Sequence, residues 1–157
     1  MLAESLASLD RRVSDWVAVG ADRVRGFADT TEDWQFIHLD PERAAETPFG
    51  GAIAHGFLTL SLLAPMSDSA LVGVFPEAAQ RVNYGFDHIR FVAPVPVGAR
   101  LRAVFLVAEV EEGEGWIDVH WDVTVEIEGA NRPALVAQWI VRVYLVGESE
   151  GERNEDE

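Results

Sequence analysis

Asp33 and His38 stand five residues apart in "DWQFIHLDPERAAETPFGGAIAHGF" (33–57), with apolar Trp34, Phe36 and Ile37 between them. A carboxylate and an imidazole side by side can move one proton onto a substrate and another off it, because their environments can set the two pKa values apart. The three apolar neighbours would supply desolvation. The same spacing also has a structural reading, a loop carboxylate that caps a nearby helix. The glycines downstream bear on the choice. "GGAIAHGF" brings flexible backbone to the first turn of an apolar helix, where unpaired N–H groups and the positive dipole end favour an anionic oxygen. A thioester carbonyl acquiring enolate character is one such oxygen. Gly50 and Gly51 read more simply as a turn, and Gly56 either as the N–H donor or as a point of close helix-to-sheet packing.

The elements that must position these groups follow from periodicity. Residues from about Ala3 to Trp16 have apolar positions at helical spacing, and "GADRVRGFADTTED" offers a second helix with Val24, Phe27 and Ala28 on one face. Asp40 followed by Pro41 opens a short helix in "DPERAAET". The longest helix is expected from Ala52 to about Leu63, with Ile53, Phe57, Leu60 and Ala64 in one apolar stripe and a kink or end at Pro65. The second half changes period. "WIDVHWDVTVEIE" alternates throughout, with Ile117, Val119, Trp121, Val123, Val125 and Ile127 on one face. "ARLRAVFLVAEV" and "ALVAQWIVRVYLV" are two further strands, and "QRVNYGFDHIRFVAPV" is a fourth whose phase slips between Phe86 and Ile89, as at a bulge. Short breakers make these antiparallel neighbours. The fold class is α+β, one domain over 1–147, with an acidic disordered tail over 148–157. One helix covers only part of such a sheet, so self-association is expected.

Composition narrows the function. The 157 residues carry no cysteine, which removes thiolate metal sites and cysteine nucleophiles, and all twelve basic residues are arginine, which removes lysine chemistry. The formal charge of −15 argues against nucleic acid or an anionic membrane as partner. Neither a signal peptide nor a membrane span is evident, and a cytoplasmic location is expected. His120 falls on the wet face of its strand, and His88 lies where the phase slips. The tryptophans read mainly as packing, although Trp34 and Phe49 could line an acyl channel.

The segment resembles the signature of the MaoC-like dehydratases, the (R)-specific enoyl-CoA hydratases also called hydratase 2, whose pattern runs Gly-Asp-x-Asn-Pro-x-His before a helix opening with His-Gly. Asp33 and His38 match at that spacing, "AHGF" (54–57) matches the helix start, and "VNYGFDHIRFVAPVPVG" resembles the following strand. Glu32 replaces the glycine before the aspartate and Gln35-Phe36 replaces Asn-Pro, a variant resembling the branch near nodulation protein N. Ala64 stands where some members carry a small hydroxyl residue. The resemblance implies a hot-dog fold, a long central helix wrapped by a curved antiparallel sheet, in homodimers. It implies reversible hydration of a trans-2-enoyl-CoA to an (R)-3-hydroxyacyl-CoA, with Asp33 and His38 sharing a water and the Gly56 N–H meeting the thioester oxygen. No metal or cofactor beyond the coenzyme A thioester substrate is implied. Arg81 and Arg90 are candidates for the coenzyme phosphates, and His55 for holding the loop or lining the pocket. The competing readings are a hot-dog thioesterase, whose acid usually lies on the central helix where this chain has none before Asp68, and a non-catalytic acyl-binding subunit.

Overall fold

The computed structural model describes residues 1–76 and 79–145, so the tail expected over 148–157 lies outside the described residues. The amino-terminal helix is shorter than its periodicity suggests: α1 ends at Ala7 (Leu2–Ala7). Residues beyond it are extended as β1 (Arg12–Val13) and β2 (Val17–Ala18). Ser14 explains the switch: its N–H donates to the Ala103 carbonyl at 2.9 Å, and its hydroxyl accepts from the Ala103 N–H at 2.9 Å. A long-range strand pairing thus overrides local helical spacing.

The next two expected helices form. α2 (Ala21–Thr31) buries Val24 and Ala28, and α4 (Pro41–Ala45) is capped by Asp40, whose carboxylate accepts the Arg43 N–H at 3.1 Å. Between them lies a one-turn helix that the pattern does not show, α3 (Phe36–Leu39), carrying His38.

The central run divides into α5 (Gly56–Ser61) and α6 (Leu63–Ala70). Pro65 cannot donate to the Ser61 carbonyl four residues back, and the division falls at that turn while Pro65 sits in the first turn of α6. The buried face is Leu58, Leu62, Leu63, Met66 and Ala70. The expected stripe is therefore the other side of the helix: Phe57 is 70% exposed and Ala64 is exposed. Those residues face a groove instead, lined also by Phe86 and Trp139.

Four long strands follow: β3 (Gln80–Phe91), β4 (Arg100–Gly113), β5 (Trp116–Ile127) and β6 (Leu135–Tyr144). All pairings are antiparallel, in the order β1-β4-β5-β6-β3, with β2 also against β4. The six alternating residues of β5 are all buried, and they form one core with Leu58, Leu63 and Met66 from the helices. The β3 register shifts between Phe86 and His88, where the apolar phase slips, and again between Asn83 and Gly85. On the opposite face Asp118 is buried and accepts two bonds from Arg142 at 2.7 and 2.6 Å. Among the described residues no helix is long and apolar enough to cross a membrane.

Candidate active site

Three hydrogen bonds fasten the segment that follows α2 onto the residues that lead into α5. The Ile53 N–H donates to the Ile37 carbonyl at 3.0 Å, His38 Nδ1–H donates to the Ile53 carbonyl at 2.7 Å, and His55 Nε2–H donates to the Asp33 carbonyl at 2.9 Å. Ala54 N–H donates in turn to the Val95 carbonyl, which ties the assembly to the β3–β4 connection. A donor is required wherever the partner is a carbonyl, so the bonds also fix tautomers. His38 keeps its lone pair on Nε2, and His55 keeps its own on Nδ1.

The outcome is a cluster. Asp33, His38 and His55 each offer an atom, and these atoms all lie within 4.8 Å of one another. Two groups at that separation are both in reach of a single water at bonds of about 2.8 Å. The two histidines are buried, whereas Asp33 is exposed and its carboxylate accepts only a long bond, 3.4 Å, from the Gln35 N–H. Burial pushes the His38 imidazole below its ordinary value of 6.5, and repulsion from His55 acts the same way. The Ile53 carbonyl and the Asp33 carboxylate oppose that shift.

The same three side chains have the composition of a metal site, but their geometry suits a stack. The His38 and His55 rings lie face to face, centroids 3.8 Å apart and planes 28° from parallel. Lone pairs lie in the ring planes, and near-parallel planes do not meet at the roughly 2.0–2.1 Å from both nitrogens that zinc needs.

Glu32 sets the approach to Asp33. It ends α2 with φ 61° and ψ 27°, the left-handed region, at the position where the resembled pattern has glycine. An L-residue there costs about 1–2 kcal/mol, which glycine avoids at a chain-entropy cost of roughly 0.5–1 kcal/mol. Glu32→Gly is therefore expected to leave stability unchanged or raise it by up to about 1.5 kcal/mol, read as the midpoint of urea unfolding. A clear loss would show that the glutamate side chain itself supports the turn.

Gly56 opens α5, and among the described residues no hydrogen bond takes up its N–H. A Cβ here would lie 3.2 Å from two carbons of the Phe91 ring, so the helix start approaches the sheet as closely as its sequence permits. Beside it lies a mainly apolar cleft of about 250 Å³ lined by Phe49, Ile53, Gly56, Thr59 and Phe91 among others. Asp33 and His38 are not among its walls; His38 meets it through the Ile53 carbonyl.

The remaining candidates are dispersed. Trp34 is 54% exposed and its indole N–H donates to Asp29 at 2.8 Å. Arg81 pairs with Asp68 at 2.6 Å on the rim of a separate cavity of about 320 Å³ beside α6. Arg90 is exposed and donates to the Ile89 carbonyl next to it. His120 reaches Asp87 at 3.3 Å, and His88 is exposed. What periodicity misses is the link from His55 to Asp33, since a side chain bonded to a carbonyl 22 residues away leaves no local pattern.

The MaoC like domain family model matches residues 5–128. Nodulation protein N of Rhizobium leguminosarum bv. viciae is 47% identical over 149 residues, covering 90% of this chain and 92% of that protein. The 3-hydroxyacyl-thioester dehydratase Z of Mycobacterium tuberculosis is 48% identical over 130 residues, covering 82% and 85%. Among solved structures, a MaoC-like dehydratase from Rhodospirillum rubrum aligns with a TM-score of 0.72 at 24% identity, over 94% of this chain and 99% of that one. The (R)-hydratase of Aeromonas caviae aligns with a TM-score of 0.62 at 27% identity, over 88% and 98%. The sheet laid over a single helical run is thus the hot-dog fold of these dehydratases, and the chain belongs to the MaoC-like domain family.

Proposed function

We propose that this protein is an (R)-specific enoyl-CoA hydratase, adding water reversibly to a trans-2-enoyl-CoA to give an (R)-3-hydroxyacyl-CoA. The observation that carries the reading is the convergence of Asp33 and His38 next to the start of α5. The names of relatives support the substrate class: one is a 3-hydroxyacyl-thioester dehydratase, another an (R)-specific enoyl-CoA hydratase from Aeromonas caviae, 36% identical over 93 residues.

In this reading Asp33 and His38 hold one water between them. His38 Nε2, left bare by the anchoring of Nδ1 to Ile53, takes a proton as the water oxygen bonds to C3. Electron density moves toward the thioester oxygen, which the Gly56 N–H receives, and the pair returns a proton to C2 on the same face. Phe49 and the cleft beside Gly56 would hold apolar parts of the substrate. The test is stereochemical. Offered the two enantiomers of 3-hydroxybutyryl-CoA separately, the protein should dehydrate only the (R) form. Release of free thiol would indicate a thioesterase, and binding without turnover an acyl-binding subunit.

The pH dependence has a defined sign. A histidine whose folded value is lowered stays neutral, and so competent as a base, when pH falls below 6.5. The acid limb of kcat/KM is expected below 6.5, and the site's contribution to stability should fade over the same window as pH drops through the folded value. A limb above 6.5 would contradict the assignment of His38 as base.

A second copy of the chain is the expected partner. β3 forms one end of the sheet, with Val82 47%, Tyr84 58% and Phe91 51% exposed, the kind of long apolar edge that pairs with another strand. Sedimentation should give twice the monomer mass; a monomer at micromolar concentration would count against it.

A further inference from the structure

We infer that His55 is the positioning residue of the site, one imidazole that fixes the Asp33 main chain and supplies the face against which the His38 ring lies. The kinetic part of this inference rests on the hydratase reading; the structural part does not.

His55 occupies the N-cap of α5 but makes no capping bond, although that position usually belongs to Ser, Thr, Asp or Asn for the sake of one. Its side chain is committed elsewhere. It is 2% exposed, and its ring lies between Phe27, with centroids 4.9 Å apart, and His38, with centroids 3.8 Å apart. Nε2–H donates to Asp33, while Nδ1 is buried without a partner among the described residues. Two rings and one hydrogen bond therefore hold it in a single orientation.

What it holds needs holding. The Asp33 side chain is exposed and gains little restraint from its 3.4 Å bond, so the direction of the carboxylate depends on the main chain, and His55 takes the Asp33 carbonyl. His38 is fastened at one ring nitrogen only, and swinging about that bond is blocked where the His55 ring covers its face. The charged or titratable groups facing His38 are Asp33 and His55. The former favours the protonated imidazole and the latter disfavours it, so the stack also keeps the lone pair available.

Two substitutions separate the parts. His55→Phe keeps a ring for the stack and removes the donor; His55→Gln keeps an N–H near the place of Nε2 and removes the ring. With crotonyl-CoA, His55→Phe should lower kcat by about 10- to 100-fold with little change in KM, since displacement by about 1 Å can cost that much. His55→Gln should recover part of the loss. In both, the acid limb should move to higher pH, because the imidazole opposing His38 protonation is gone. In parallel, the His38 ring signals of labelled protein, followed by NMR against pH, should titrate at higher pH in each variant than in the parent. Variants matching the parent in kcat and in the His38 titration would overturn the proposal, as would a raised KM with kcat intact. The NMR measurement needs no turnover: a parent protein inert toward crotonyl-CoA would remove the hydratase reading, and the His38 titration would still decide the role of His55.

Discussion

Asp33→Asn is expected to lower kcat for hydration of crotonyl-CoA by about 10²–10⁴-fold, the usual contribution of a positioned acid or base. The fold should be unaffected, since the Asp33 side chain is exposed and makes only a 3.4 Å hydrogen bond, and such surface changes stay within about 0.5 kcal/mol. His38→Asn is the matching substitution on the imidazole. An asparagine amide can place its N–H where Nδ1–H now donates to Ile53, so the anchor survives while Nε2 is deleted. Its rate loss should fall in the same range. In the proposed mechanism both groups act on one water, so the double variant should be little slower than either single one, as for residues that work as a unit. Independent, multiplying losses would mean that the two side chains act at separate steps.

The largest effect on stability is expected from Phe105→Ala. Phe105 is fully buried on β4, edge-on to Trp121 with centroids 6.0 Å apart and tilted against Trp139 at 6.4 Å. Truncating such a side chain removes apolar burial and leaves a cavity that two large indoles cannot close, a loss of about 3–5 kcal/mol. That is a large part of the roughly 5–15 kcal/mol that holds a domain together. Urea unfolding should show it directly. A loss under about 1 kcal/mol would mean that the two tryptophans collapse into the space.

How much of this was legible beforehand varies with the range of the determining contacts. β5 was readable residue by residue, because its six inward positions alternate and all six are buried. The slip in β3 marked its irregular register correctly, since one extra residue must move the apolar phase. The central helix was legible as a helix but not in orientation. Phe57, Leu60 and Ala64 are apolar yet line a groove, while Leu58, Leu62 and Met66 meet the core. Apolar character at helical spacing does not say which of two apolar sides faces the sheet. The helix expected from Ala3 to Trp16 stops at Ala7 for a different reason: Arg12 and Val13 pair with Phe105 and Val104 of β4, 93 and 91 positions away, and nothing local announces it. At the candidate site, the family motif is what singles out Asp33, His38 and, through its neighbour histidine, Gly56. The bonds to the Ile53 and Asp33 carbonyls were hidden, because main-chain acceptors have no residue identity to read.

The central claim, that Asp33 and His38 activate one water against an enoyl thioester, is tested most directly by the absorbance of crotonyl-CoA mixed with the full-length protein. The enoyl thioester band should decline toward a hydration equilibrium, and Asp33→Asn should flatten that decline under the same conditions. A band that persists with the parent protein, or that declines equally with the Asp33 variant, would contradict the account.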